Sequence, residues 1–188
     1  MLKNSFTIHL PDWIGDFLES RPDILSDMEV RMKLVVDLAR RNIEENTGGP
    51  FAAAVFEIGT GRLISTGVNV VIAGKCSLAH AEMTALALAQ ASLGTHDLSS
   101  AGSTQYELVT STEPCAMCLG AIPWSGVTRV VCGAREEDAR RIGFNEGDKP
   151  ADWPQLFQKR GIEVFRDVLR QQAGEVLQEY SRRGGMIY

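Results

Sequence analysis

Cys115 and Cys118 are the residues whose type and spacing first indicate chemistry. Pro114 stands directly before them, which is typical of the first turn of a helix. Residues three apart lie on the same face of a helix, so the two sulfurs can share one ion. The positive end of a helix lowers the pKa of a thiol toward the thiolate that a metal requires. For a Cys-x-x-Cys sequence taken alone, a redox pair or two buried hydrophobes are the alternatives.

His80 and Glu82 supply the context that the cysteines lack. They follow a loop and begin a segment rich in alanine and leucine. His-x-Glu followed by Pro-Cys-x-x-Cys is the signature of the zinc deaminases. The three ligands His80, Cys115 and Cys118 leave one tetrahedral position of a zinc ion for water, as in catalytic sites.

Glu82 is predicted to move the protons of this reaction. Zinc lowers the pKa of bound water from ~15.7 to ~7, so a hydroxide nucleophile exists at neutral pH. Glu82 lies two residues from His80, close enough to approach that water without ligating the metal. The alternative for Glu82 is a solvated carboxylate in the first turn of a helix.

The surrounding elements must bring these two motifs together. The apolar pattern predicts a long helix from Asp23 or Ser26, a hairpin of two strands, a helix opened by His80 and closed by Gly94, and later strands alternating with helices. This order predicts a three-layer α/β/α fold with a five-stranded mixed sheet and right-handed crossovers. Ligands of such sheets bind outside the carboxyl ends of the strands, where both motifs begin. Predicted boundaries further along the chain are a strand over 106–110, a strand over 129–133, a turn over 136–141, a loop over 143–154, a strand over 162–168 and a helix over 170–181.

Length and composition agree with a single enzyme domain. The 188 residues are 44% hydrophobic and 23% charged, which predicts one domain over 23–188 after an N-terminal arm over 1–22 that stays outside the core. The net charge of -5 argues against a nucleic-acid partner. The sequence contains no apolar run near the ~20 residues of a membrane span, and its four cysteines are too few for a disulfide framework. We therefore expect a soluble cytoplasmic protein with no membrane partner.

Two longer segments resemble a known family. The residues STEPCAMCLGAIPWSGVTRVVCGA at 111–134 are similar to the zinc-ligand helix and following strand of the cytidine deaminase superfamily, in guanine deaminases and tRNA adenosine deaminases alike. The residues REEDARRIGFNEGD at 135–148 resemble the guanine deaminase branch. This resemblance implies the cytidine deaminase-like fold, hydrolysis of guanine to xanthine and ammonia, zinc as the only cofactor, a purine base as the partner and a homodimer.

The same resemblance implies further substrate contacts. Glu146 stands where relatives carry an acidic residue that meets the purine, although Asn145 is the alternative for the aligned position. A carboxylate suits guanine because N1–H and the 2-amino group are both donors. Glu146 is also a candidate catalytic residue, which would relay a proton to the leaving ammonia. The other implied contacts are Asn69, Phe51, Trp124, Tyr188 and the backbone N–H of Ala81. Their alternatives are a turn residue for Asn69, core residues for Phe51 and Trp124, a frayed end for Tyr188 and a solvated loop carboxylate for Glu146. Tyr188 would cap the pocket either of its own chain or of a partner subunit.

Three other functions compete with guanine deamination. A tRNA adenosine deaminase shares the zinc motifs, but it needs a basic groove, and the loop that follows the motifs carries Glu137, Asp138, Glu146 and Asp148. A nucleoside, cytosine or triazine deaminase is a second alternative. The third is a non-catalytic zinc-binding module, against which Glu82 argues because a structural zinc site has no use for it.

Overall fold

The centre of the protein is a five-stranded sheet with the strand order β2-β1-β3-β4-β5. We describe it from a computed structural model, which covers residues 4–100 and 102–188. The first three residues of the predicted arm lie outside the described residues. The strands are β1 (Ala52–Glu57), β2 (Leu63–Val68), β3 (Tyr106–Thr112), β4 (Arg129–Ala134) and β5 (Glu163–Phe165).

The sheet is mixed, as the sequence predicts. Strand β1 pairs antiparallel with β2, as a hairpin, and also with β3. Strands β3, β4 and β5 run parallel to one another. Strand β5 has three residues rather than the seven predicted over 162–168, because only Glu163, Val164 and Phe165 pair with β4.

One face of the sheet is covered by the helices α2 (Met28–Glu44) and α8 (Arg170–Arg182). Helix α2 begins later than predicted because the Asp27 side chain caps it, accepting the N–H groups of Glu29 and Val30. Buried side chains of both helices pack on alternate residues of the strands. The core of this face includes Met32, Val35, Leu38, Val109, Val131, Val176 and Leu177.

The opposite face is covered by α4 (Ala81–Leu93) and α5 (Ala116–Ser125), the two helices that follow the metal motifs. Their core side includes Leu86, Leu119 and Ile122, packed on Leu108 and Val130 of the sheet. Helix α4 ends at Gly94, which has the positive φ of 67° that lets a glycine close a helix. The three-layer prediction is therefore confirmed.

Four short helices complete the described fold. They are α1 (Trp13–Glu19), α3 (Val71–Gly74), α6 (Glu136–Arg141) and α7 (Trp153–Gln158), with a 3₁₀ turn at Leu98–Ser100. Helix α7 begins inside the segment predicted as a loop, because Trp153 and Phe157 bury one face of it. Its first turn also contains Pro154, which is favourable at the start of a helix.

The N-terminal arm is not wholly outside the core. Ile14 of α1 is buried in the same cluster as α2, and the Trp13 indole N–H donates to the Thr47 hydroxyl at 3.1 Å. A boundary between arm and domain at residue 22 stays a prediction. Within the described residues, no helix combines the length and the apolar character needed to cross a membrane.

Candidate active site

The two metal motifs meet beside the carboxyl end of β3. His80 is the N-cap of α4 and Cys115 is the N-cap of α5, and both have extended backbone conformations. Strand β3 ends at Thr112, three residues before Cys115. Because α4 and α5 pack on the same face of the sheet, their N-termini are neighbours. The sheet thus brings residues 35 positions apart in sequence into contact.

His80, Cys115 and Cys118 have the geometry of a zinc site. Their ligand atoms all lie within 4.8 Å of one another. The His80 Nδ1 atom is 3.5 Å from Cys115 Sγ and 3.6 Å from Cys118 Sγ. Tetrahedral zinc, at about 2.3 Å from sulfur and about 2.0 Å from nitrogen, requires these pairs to be about 3.5 Å apart. The residues fit zinc, which His80 would bind through Nδ1.

The protonation of the two thiols also suits a metal. The hydrogen bond from Cys118 lowers the pKa of the Cys115 thiol to about 4, with burial opposing and His80 assisting the shift. The pKa of Cys118 is raised, because its thiol holds the shared proton and is buried. One sulfur is therefore a thiolate at neutral pH, and thiolates are the form in which cysteine ligates metals.

Glu82 lies next to these ligands without belonging to them. Its carboxylate is buried, and Cys118 Sγ donates to Glu82 Oε2 at 3.5 Å. Burial raises the pKa of the Glu82 carboxyl, and the charge of Cys115 adds to that rise. A raised pKa makes a carboxyl group a better proton carrier, because the ideal pKa of a catalytic acid or base lies near the operating pH. This placement agrees with the role predicted for Glu82.

A pocket opens beside the metal ligands and contains most of the predicted substrate contacts. Its walls include the predicted Phe51, Asn69, Glu146 and Tyr188. The full set of lining residues is Phe51, Asn69, Val71, Ser77, His80, Glu82, Thr112, Glu113, Cys115, Phe144, Asn145, Glu146 and Tyr188. The position of the pocket at the strand ends agrees with the general rule for such sheets.

Glu146 and Asn145 both border the pocket, but only Glu146 is buried. Its residue is 6% exposed, whereas Asn145 is exposed and its Oδ1 accepts the Gly147 N–H at 3.0 Å. Burial, together with the nearby Cys115 sulfur, raises the pKa of the Glu146 carboxyl to about 7. The structure thus favours Glu146 over Asn145 as the residue that faces a substrate.

Asn69 and Tyr188 meet across the mouth of the pocket. The Tyr188 hydroxyl donates to Asn69 Oδ1, and the amide N–H of Val71 donates to the same oxygen at 3.3 Å. Phe144 makes edge contacts with Tyr188 and with Phe51, with centroids 5.5 and 4.8 Å apart. The C-terminal residue therefore lies over the pocket of its own chain and is not a frayed end.

Trp124 does not line this pocket, so that prediction is wrong for the pocket of its own chain. Its side chain is 80% exposed and borders a separate groove on the surface. The reason is helical periodicity, since Cys118, Ile122 and Ser125 point inward from α5 and Trp124 points away. Ala81 is buried at the start of α4, and its side chain is absent from the pocket walls. A hydrogen bond from its N–H to a substrate stays a prediction.

Several pocket residues were not predicted from the sequence. Thr112 and Glu113 lie in the same segment as the cysteines, at the end of β3, so the strand-end rule could have found them. The Thr112 hydroxyl is buried, and no hydrogen-bond partner for it exists among the described residues. Val71, Ser77 and Phe144 lie on loops and short elements, where the periodicity of the sequence does not predict which way a side chain points.

Comparisons with known proteins agree with this site. Residues 25–134 match the family described as the cytidine and deoxycytidylate deaminase zinc-binding region. The guanine deaminase of Bacillus subtilis is 37% identical over 130 residues, which cover 66% of this chain and 79% of that protein.

Solved structures resemble the chain over nearly its whole length. A guanine deaminase from Nitrosomonas europaea has a TM-score of 0.90 and 47% identity, covering 97% of this chain and 99% of that one. A structure of the protein NE0047 in complex with 2,6-diaminopurine has a TM-score of 0.92 and 49% identity, covering 98% and 97% of the two chains. From the match over 25–134 and the similarity to guanine deaminases over most of its length, the chain belongs to the cytidine and deoxycytidylate deaminase zinc-binding family, in the guanine deaminase branch.

Proposed function

We propose that this protein hydrolyses guanine to xanthine and ammonia. The observation that carries the proposal is the pair of buried carboxyl groups, Glu82 and Glu146, that line one pocket beside the zinc ligands. The guanine deaminases to which the chain is similar support the choice of substrate. The reaction adds water at C2 of the purine and breaks the bond from C2 to the exocyclic amine.

Glu82 is the proton carrier of this reaction. When bound by His80, Cys115 and Cys118, zinc supplies Lewis-acid chemistry that makes water acidic enough to lose a proton at neutral pH. The Glu82 carboxylate accepts the proton of the attacking water and delivers it to a ring nitrogen. It then accepts the proton of the hydroxyl added at C2 and passes it to the departing amine, so that the C2 carbonyl forms, ammonia leaves and the carboxylate is restored. Its burial beside Cys118 keeps it within reach of both positions.

Glu146 and Asn69 orient the base. A carboxylate accepts from both N1–H and the 2-amino group of guanine, which an adenine ring cannot offer. The Asn69 Oδ1 atom is occupied by Tyr188 and Val71, so its amide N–H₂ is the group available to donate to a ring acceptor. Phe51 and Phe144 supply apolar ring surfaces on the pocket wall. Tyr188, whose hydroxyl donates to Asn69, covers the base and excludes water.

The test of the reaction is the substitution Glu82→Gln. We expect it to retain stoichiometric zinc and the native melting temperature but to lower kcat for guanine by about 10²- to 10⁴-fold, because the amide cannot carry a proton. Ammonia release and xanthine absorbance measure the rate, and metal analysis measures zinc. Glu175→Gln, at an exposed position of α8, is the matched control. Turnover near that of the unmodified protein in Glu82→Gln would refute the proton-carrier role.

Substrate choice needs a panel of bases. Guanine, adenine, cytosine, their nucleosides, triazines and tRNA should each be assayed with the zinc-loaded protein. We expect guanine to be the preferred substrate and tRNA adenosine to be left unchanged, because Tyr188 covers the pocket and the exposed Glu137 of α6 and Asp148 of the following loop add negative charge to the surface. Deamination of tRNA in preference to guanine would favour the rival function, and zinc binding with no activity on the panel would favour a non-catalytic module.

We further propose that the protein acts as a homodimer in the cytoplasm. The four cysteines, all of them in the described part of the chain, form no disulfide, which suits a reducing compartment. The exposed sides of α4 and α5 carry Ala87, Leu88, Ala91, Ser92, Gly120 and Trp124, none of which is charged. Such a face can meet a second copy of itself without placing like charges together.

A further inference from the structure

We propose that Lys149 is a positioning residue that holds the Glu146 loop against the helix carrying the cysteine ligands. The inference rests on the proposed role of Glu146 in binding the base. Lys149 lies three residues after Glu146, and its side chain is only 2% exposed. A lysine is almost never this buried unless its ammonium group is paired, so its contacts indicate what it does.

The Lys149 ammonium group bridges two elements of the site. Its Nζ donates to the backbone carbonyl of Pro114 at 2.7 Å and to Glu136 Oε2 at 2.9 Å. Pro114 directly precedes the zinc ligand Cys115, and Glu136 is the first residue of α6. One side chain therefore joins the loop after α6 to the turn that leads into α5.

The loop itself lies tightly on the start of α5. The Ala116 N–H, in the first turn of α5, donates to the Glu146 carbonyl at 2.9 Å. At Gly147, which has a φ of 72°, an added Cβ would lie 2.8 Å from the Ala116 Cβ, closer than carbon atoms approach. The Glu146 backbone is thus fixed relative to Cys115 by one hydrogen bond and by close packing, and the ammonium of Lys149 closes the far end of the loop.

Glu136, the ionic partner of Lys149, is itself fixed to the sheet. Its backbone N–H donates to Glu113 Oε2 at 3.1 Å, and the other oxygen of Glu113 accepts from Arg166. Glu113 immediately follows β3 and lines the pocket. Through Glu136 and Glu113, the Lys149 ammonium group therefore fixes the loop that carries Glu146 relative to the end of β3. Loss of the ammonium leaves the Pro114 carbonyl and the Glu136 carboxylate without this donor, so the loop gains freedom that misplaces Glu146.

The first experiment measures how firmly the loop that carries Glu146 is held, and its result does not depend on the identity of the substrate. Lys149→Met, which keeps the length of the side chain, should be compared in zinc-loaded form with Lys159→Met, a change at an exposed lysine that ends α7. We expect amide hydrogen exchange over 114–118 and 144–149 to become about tenfold faster or more in Lys149→Met, and to stay unchanged in Lys159→Met. Unchanged exchange in Lys149→Met would overturn the proposal, even if guanine proves not to be the substrate.

The second experiment asks whether Lys149 acts through Glu146. In zinc-replete protein we expect Lys149→Met to lower kcat/KM for guanine by about 10- to 100-fold, because a misplaced contact loses orientation. In a Glu146→Gln background, Lys149→Met should lower kcat/KM by about twofold or less, since both substitutions act by removing the same contact of Glu146 with the base. A merely structural lysine would lower the melting temperature equally in both backgrounds and leave kcat/KM of the folded protein unchanged, which would contradict the proposal.

Glu136→Gln provides the same test if Lys149→Met does not fold. The amide oxygen of glutamine can still accept a hydrogen bond from Lys149, but the ion pair is lost. We expect faster exchange over 144–149 and a loss of kcat/KM that again disappears in the Glu146→Gln background. Full additivity of the two substitutions would show that the Lys149 and Glu136 pair does not position Glu146.

Discussion

Thr112 is the pocket residue whose side chain is least explained by contacts within the protein. Its hydroxyl is buried, and the described residues supply no hydrogen-bond partner for it. An unsatisfied buried hydroxyl costs about 1–3 kcal/mol, so a bound molecule that pairs with it gains affinity. We expect Thr112→Val to raise KM for guanine by about tenfold or more. The same change should leave the free energy of unfolding unchanged or slightly increased, because it removes an unpaired polar group.

Thr110→Val is the matched control for this residue. Thr110 is buried two positions earlier on the same side of β3, but its hydroxyl donates to the Thr112 carbonyl at 3.0 Å, and it does not line the pocket. Its substitution should lower the unfolding free energy by about 1 kcal/mol and leave KM unchanged. Steady-state kinetics and urea unfolding of both variants measure the contrast. An unchanged KM in Thr112→Val would mean that the hydroxyl does not meet the base.

At the scale of elements, an ion-pair cluster holds α8 to α6. Arg170 of α8 donates from Nε to Asp138 Oδ2 at 2.9 Å, and Asp138 also accepts the Arg135 N–H at 2.9 Å. Partial burial opposes ionisation of Asp138, but the hydrogen bond from Arg170 and that from the Arg135 N–H outweigh burial and lower the carboxyl pKa. The Asp138 side chain is 12% exposed, so solvent screens these contacts only in part. We expect Asp138→Asn to lower the unfolding free energy at pH 7 by about 1–2 kcal/mol.

The pH dependence of this loss follows from the lowered pKa. The carboxylate contributes its full stabilisation above the unfolded-state pKa of about 3.9, and loses it as the pH falls through the still lower folded-state pKa. The difference between Asp138→Asn and the unmodified protein should therefore be constant above about pH 5 and should shrink below about pH 4. Glu137→Gln is the control, because Glu137 also contacts Arg170 but is 62% exposed and should contribute less than about 0.5 kcal/mol. A difference that persists at low pH would contradict the assignment.

The elements also show how far the sequence could predict this structure. The mixed sheet, the helix that begins after His80 and the zinc ligands were all predictable, because periodicity and metal-ligand spacing are local properties of the chain. Helix α7 was not, since it depends on the burial of Trp153 and Phe157, which the local sequence does not show. The direction of Trp124 depends on where α5 begins relative to the sheet, and the bridge made by Lys149 joins segments 35 residues apart. Neither is visible in local sequence.

At the scale of the whole molecule, the charged residues are distributed unevenly over the surface. Helices α2, α6 and α8 carry many ion pairs on their exposed sides. In contrast, α5 contains no charged residue, and the single charged residue of α4, Glu82, is buried at the active site. An extended uncharged surface with an exposed tryptophan is typical of a protein interface. The face that carries this surface belongs to the same two helices whose first turns hold the zinc ligands.

Trp124→Glu tests whether this face joins two copies of the chain. An exposed aromatic at the centre of an interface commonly contributes 2 kcal/mol or more, so we expect the dimer dissociation constant to rise by about 30-fold or more. Sedimentation velocity over a dilution series measures the constant. Val30→Glu is the matched control, because Val30 is also an exposed hydrophobe but lies on α2, in the opposite layer. An unmodified protein that is monomeric at every concentration, or a Trp124→Glu variant that dimerises as tightly as Val30→Glu, would rule this interface out.

Because α4 and α5 also position His80 and Cys115, we further expect the loss of the dimer to lower kcat more than it changes zinc content.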